Sequence, residues 1–250
     1  NVAIRIGDTD EVQVGGGSHS GRSMRMAGTV IVLAADDLIK KGKTVAADVL
    51  EVAESDVEFL DGQFRVIGTD RSIDWFELAG RTDAGTLEVI RANEMQTPVF
   101  PNGCHICEVE LDPETGATKL TRYTAIDDVG RAINPMIVHG QTHGAVAQGL
   151  GQAMLESCVV DPGTGQVLTG SLMDYGLPRA ADVPSFNVAL NEVLSPTNPL
   201  GIKAGGEGGT TVSPVAYTNA VLDALKDFGV SDIPMPLTPH RIWRAIRGTA

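Results

Sequence analysis

The sequence of 250 residues is 42% hydrophobic and 20% charged, the profile of a soluble globular chain long enough to bury a core without disulfide or metal staples. Its formal charge of −13 argues against the phosphate backbone of nucleic acid as a partner, because affinity there rests on clustered Lys and Arg. No run of about 18 apolar residues is present to span a membrane, and the odd set Cys104, Cys107 and Cys158 fits a reducing cytoplasm better than a disulfide framework.

Residues 1 to 14 alternate apolar and polar about a turn at Gly7 to Asp10, which predicts a strand pair or a strand with a loop. The run from Gly15 to Gly21 follows, poorly tolerated by any regular element. From Arg22, the residues Met26, Val30, Leu33 and Ile39 recur at roughly helical spacing, predicting a helix that ends near Gly42. Asp56 to Ile67 holds two β-rich runs split by Asp61 and Gly62, a strong hairpin signal. Cys104 to Leu111, a turn at Asp112 to Gly116, and Lys119 to Ile126 predict a second hairpin.

Ile137 to Glu156 reads as a helix despite Gly140, Gly144, Gly149 and Gly151. Together these forgo about 3–4 kcal/mol of helix propensity relative to Ala, so the missing side chains must be compensated. Gly140, Gly144, Ala147 and Gly151 fall on one helical face, which predicts close approach there by a backbone or a ligand. Strands are expected over Leu168 to Leu177 and Phe186 to Val193. Ser213 as N-cap, with Pro214 at the first helical position, predicts a helix that Gly229 stops. Thr238 and Pro239 repeat that signal for Arg241 to Ile246. Hairpins and helices mix without βαβ alternation, so the fold class is α+β, in one domain over 1–250 that is divisible into lobes of about 1–97 and 98–250.

The loop around Glu207 sets a carboxylate between Gly205–Gly206 and Gly208–Gly209. Two readings stand: a partner for the dipole of the following helix, or, if the acid is sequestered, a base with a raised proton affinity. Burial separates them. The loop Gly15 to Ser23 leads into a helix and suits an anion, but it contains neither GK[ST] nor GxGxxG, and His19 occupies the centre of the would-be GxSxG elbow. Cys104 and Cys107 lie three apart on a strand, so their thiols face opposite sides. The pair His139 and His143 lacks the Glu of HExxH. Packing is favoured over metal binding for the cysteines.

In chain order, GDTD (Gly7 to Asp10), GSHSGRS (Gly17 to Ser23), EVELDPETG (Glu108 to Gly116), DDVGRAINP (Asp127 to Pro135), GQTHGAVAQGLG (Gly140 to Gly151) and GIKAGGEGG (Gly201 to Gly209) resemble the C-terminal part of the molybdopterin-binding subunit of molybdenum hydroxylases, the xanthine oxidase, aldehyde oxidase and CO dehydrogenase group. The resemblance implies a molybdenum–molybdopterin cofactor, in bacteria commonly the cytosine dinucleotide, whose metal the pterin rather than the protein holds. It implies hydroxylation of aldehydes or N-heterocycles with water as oxygen source, and Glu207 as the general base. It places cofactor contacts at Ser20, Gly21, Arg22, Ser23, Gly140, Gln141, Lys203, Ala204, Gly205 and Gly206. Where many relatives read GSRS, this chain reads Ser20, Gly21, Arg22, Ser23. Implied partners are the N-terminal half of the same subunit, a subunit with 2Fe–2S clusters, an FAD subunit and a small-molecule substrate. The alternatives are a remnant domain that folds without cofactor, and a zinc hydrolase using Cys104, Cys107 and His143.

Overall fold

The computed structural model describes residues 2–12, 14–19, 21–95 and 97–248. Two compact units divide the chain, residues 1–97 and residues 98–250. No helix among the described residues is long and apolar enough to cross a membrane.

In the first unit, residues 2–12 form no strand, contrary to the alternating pattern. Alternation specifies a strand only where one face is covered, and Val2, Ile4 and Ile6 are all exposed. Helix α1, Arg22–Leu50, runs well past Gly42 and ends where Glu51 turns left-handed. Gly42 is a packing position rather than a stop. A Cβ there would overlap the Phe64 ring, reaching within 2.8 Å of its Cε1 and closer to its Cζ.

Phe64 lies on strand β2, Gln63–Val66, paired antiparallel with β1, Val57–Leu60. Asp61 and Gly62 between them both have positive φ, as the expected tight hairpin requires. The sequence reading missed β3, Ser72–Asp74, which extends the sheet, and α2, Trp75–Gly80, whose start Asp74 caps by accepting from Phe76 N at 2.8 Å. Phe59, Phe64 and Trp75 form a ring cluster with centroids 4.9 to 5.4 Å apart, joined in one core by Ala46 and Ala47 of α1. Gly42→Ala is therefore expected to displace the Phe64 ring and destabilise this unit by about 1–3 kcal/mol, despite the gain in helix propensity. Hydrogen exchange in the β1–β2 hairpin reads this, and unchanged or stronger protection would refute it.

In the second unit, β4, Asn102–Leu111, pairs antiparallel with β5, Thr118–Asp128, and β6, Asn187–Leu190, lies parallel on the far side of β5. Two helices pack on this sheet, α3, Pro135–Met154, and α4, Gly208–Leu225, around Tyr123, Val146, Leu150, Tyr217, Val221 and Leu225. The Asn134 side chain caps α3, with Pro135 in its first turn. A 3₁₀ turn ending at left-handed Gly229 closes α4, and α5, Pro239–Ile246, starts under the Thr238 cap as expected.

Three expectations need correction here. Residues 168–177 form turns rather than a strand, with Leu172 and Met173 exposed and so without the covered face that would hold one. Helix α4 begins at Gly208, not after Ser213, which leaves Pro214 inside it. The early start follows from contact with α3, where Gly209 faces Ala145 and Val146 so closely that a Cβ would lie 2.8 Å from one and 2.9 Å from the other. Finally, the small face proposed for α3 is only partly right. A Cβ at Gly140 or Gly144 would meet nothing within 4 Å, and Gly151 packs on Glu156 and Pro178, whereas α4 approaches most closely at Gly149.

Candidate functional site

The open glycines mark a pocket. Gly140, Gln141, Gly144 and Gln148 of α3 face Gly206 and Glu207 at the start of α4 across a cavity of about 530 Å³. Gln141 and Gln148 stand seven residues apart, two helical turns, and so share one face. The Gln141 amide donates to the Gly206 carbonyl at 2.6 Å and ties the two walls together. Thr210 and Thr211 complete the α4 side. The sequence reading missed Gln148, Thr210 and Thr211. The seven-residue spacing from Gln141 was available as a signal for the first; the other two required knowing that α4 starts at Gly208.

Glu207 is the N-cap residue of α4, yet its side chain makes no capping bond. The first-turn N–H groups, which have no intrahelical acceptor, are thus left without a side-chain cap beside the pocket. Glu207 is exposed, so the described residues alone do not form the sequestered acid anticipated from the sequence. The physical reason is the flanking glycines, which carry no side chains to cover it.

Lys203, Ala204 and Gly205 do not line the cavity. The Lys203 ammonium donates to Asp128 Oδ2 at 2.5 Å, and its backbone N–H donates to the Val129 carbonyl at 2.7 Å. Gly205 packs against Val129, whose Cγ1 would be 3.1 Å from an added Cβ. Lys203 and Gly205 thus fix the loop that delivers Gly206 and Glu207. Burial pushes the Asp128 proton affinity up, but the Lys203 hydrogen bond, the N–H groups of Gly130 and Val193 and the lysine's charge outweigh it, holding the carboxyl below the usual range.

The remaining candidates belong to the first unit. Left-handed Gly21 precedes α1 without a side-chain cap. Arg22 folds back over the glycine loop, its Nη1 lying 3.3 Å from His19 Nε2 and its Nε 3.1 Å from Met26 Sδ, and the Ser18 and Ser23 hydroxyls pair. Ser20 lies outside the described residues.

As strand geometry requires, Cys104 is exposed and Cys107 turns into the core, where burial first and the Glu108 charge second push its thiol up to about 12. A thiol so reluctant to ionise is a poor ligand or nucleophile. His143 Nδ1 lies 2.8 Å from the His139 carbonyl oxygen, and no cluster of three or more His, Cys, Asp or Glu suited to a metal ion occurs among the described residues. The zinc reading has no geometry behind it.

Comparison with known proteins places this architecture. The family model described as the molybdopterin cofactor-binding domain matches residues 1–184. The carbon monoxide dehydrogenase large chain of Hydrogenophaga pseudoflava is 34% identical over 98% of this chain and 32% of its own length. Subunit gamma of the 6-hydroxypseudooxynicotine dehydrogenase complex of Paenarthrobacter nicotinovorans is 34% identical over 99% and 32%. Among solved structures, CO dehydrogenase from Oligotropha carboxidovorans superposes with a TM-score of 0.86 at 32% identity, covering 97% of this chain and 31% of that one. Quinoline 2-oxidoreductase from Pseudomonas putida 86 gives 0.81 at 36%, covering 92% and 31%. The chain thus spans about a third of the length of the relatives it matches. By family model, sequence and fold together, it belongs to the molybdopterin-binding domain family of molybdenum hydroxylase large subunits.

Proposed function

We propose that this chain supplies one wall of the cofactor site in a molybdenum hydroxylase, with Glu207 as the proton-accepting group. The observation that carries the reading is the meeting of Gln141, Gly206 and Glu207 on one glycine-lined pocket. The residues present suit a flat, polar group: the positions Gly140, Gly144 and Gly206 have open space where side chains would stand, and the uncapped N–H groups of α4 offer donors at the same edge. Gln141 and the backbone about Gly206 would hold the group; in the first unit, taken by itself, the loop Gly21, Arg22 and Ser23 has donors suited to an anion such as a diphosphate.

When bound, a molybdenum–pterin supplies two-electron redox chemistry, and the protein's share is orientation and proton transfer. Gln141 orients through its amide. Glu207 accepts a proton at a carboxylate oxygen, and sequestration of that oxygen falls to whatever covers the pocket. Iron–sulfur and FAD subunits, the rest of the large subunit, a small-molecule substrate and a cytoplasmic location complete the reading. The relatives' names span carbon monoxide, nicotine and quinoline, so we assign this wall to chemistry common to such substrates rather than to the choice among them.

Gly144→Leu tests the reading by filling the cavity. Molybdenum and pterin in the assembled enzyme are expected to fall to about a tenth or less, because a site of this kind depends on shape. Full cofactor content with leucine in place would show that the pocket is not the site. An unmutated assembly devoid of molybdenum would favour a remnant domain instead.

A further inference from the structure

Strand β5 ends in two neighbouring carboxylates, Asp127 and Asp128, both buried. Successive strand residues face opposite sides, so the pair reaches two different parts of the pocket's support. Asp128 holds Lys203, and with it the loop leading to Glu207. Asp127 turns the other way. Its Oδ1 lies 3.0 Å from His105 Nε2, its Oδ2 accepts from the Thr142 hydroxyl at 3.0 Å, and His105 Nδ1 is 2.8 Å from the Tyr123 hydroxyl. If His105 donates from Nε2 to Asp127, its Nδ1 accepts from Tyr123 and every member of the chain is satisfied.

Thr142 sits directly after Gln141. Of the described residues in the first half of α3, from Pro135 to Gly144, it alone is buried, and Met136 and Ile137 are exposed. The large apolar anchors of α3, Val146, Leu150 and Met154, all lie in its second half. Apolar packing therefore fixes the far end of the helix, whereas the near end is held by polar contacts and by the His143 ring against Phe186, centroids 5.8 Å apart. Side-chain tips lie about 5–6 Å from a helix axis, so a rotation of about 20° would carry one roughly 2 Å. That is enough to break the 2.6 Å bond from Gln141 to Gly206.

We propose that the Thr142–Asp127–His105 chain is the positioning element of the pocket, setting the rotation of α3 that presents Gln141. The inference rests on the cofactor reading above and assigns to Thr142 and Asp127 a role exercised through Gln141, not by touching the cofactor.

The test is a double-mutant cycle in the assembled enzyme, read as molybdenum and pterin retained after dialysis. Thr142→Val keeps side-chain volume and removes the donor, and is expected to lower retention about tenfold; Thr142→Ser is expected to restore it. In a Gln141→Ala background, Thr142→Val is expected to change retention by less than about twofold, because an effect transmitted through Gln141 has nothing left to act on. Equal losses in both backgrounds would mark Thr142 as merely structural and overturn the proposal, as would unchanged retention in the single variant. Should Thr142→Val fail to assemble, Thr142→Ala, which adds no bulk beside Asp127, carries the same cycle. An unmutated assembly without cofactor would defeat the functional reading and this inference together, whereas a loaded assembly with an additive cycle defeats the positioning role alone.

Discussion

Glu207→Gln is expected to lower turnover of the assembled enzyme by at least about a hundredfold, the scale of a lost general base, while molybdenum and pterin content stay close to those of the unmutated enzyme. Gln matches Glu in shape and keeps an acceptor oxygen, so what changes is the ability to take a proton. The rival reading of Glu207 as a dipole partner for α4 predicts a different result, a loss of roughly 0.3–1 kcal/mol of helix stability with turnover intact. Since Glu207 is exposed in this chain, its surroundings in the enzyme depend on what covers the pocket, which is why the assembled enzyme is the object to assay. Glu207→Asp separates charge from reach. It keeps the carboxylate but draws it back by about one bond, and a displacement near 1 Å at a reacting centre can cost on the order of a hundredfold. Near-normal turnover in the Gln variant, measured per molybdenum, would remove Glu207 from the chemistry.

Much of the scaffold was legible because its signals are local. Asp61 and Gly62 specify a hairpin turn by their backbone preferences, and Thr238–Pro239 announces a helix start by capping chemistry alone. The errors arose where tertiary contact overrode local chemistry. Gly42 reads as a helix stop and is instead the seat of Phe64, a residue 22 positions away with no local trace of the contact. Ser213–Pro214 reads as a helix start, yet α4 begins earlier because Gly209 must reach α3. At the site, glycine content pointed to the loop of Glu207 and the helix of Gln141, but not to which glycines stand open and which are packed. The Asp127–His105–Thr142 chain was invisible for the same reason: its members are separated by 15 and 22 positions, and no period links them.

That distinction between open and packed glycines gives two substitutions of identical chemistry on one helix opposite expected outcomes. Gly144→Ala places a methyl group in open space and raises helix propensity, so amide protection in α3 and α4 is expected to rise by up to about 1 kcal/mol. Gly149→Ala gains the same propensity but drives its methyl into α4, 2.9 Å from Pro214 Cδ and 3.0 Å from the Thr210 carbonyl oxygen, and closer still to Ser213 Oγ. Ser213 can rotate away; the carbonyl and the proline ring cannot. Because Pro214 has no N–H, it also removes the usual intrahelical donor to Thr210, so the strained contact falls on a carbonyl already short of a partner. A net loss of about 1–3 kcal/mol is expected, and with Gly149→Val, which adds two further methyls to the same gap, a loss at or beyond the top of that range. Hydrogen exchange resolves the result by helix: protection in α4 should fall roughly ten- to hundredfold for the alanine variant, at about 1.4 kcal/mol per tenfold, while exchange within residues 1–97 is unchanged. Equal responses at 144 and 149 would mean that α3 and α4 can slide apart without cost, and the pocket would then lack the fixed geometry on which the roles proposed for Gln141 and Glu207 depend.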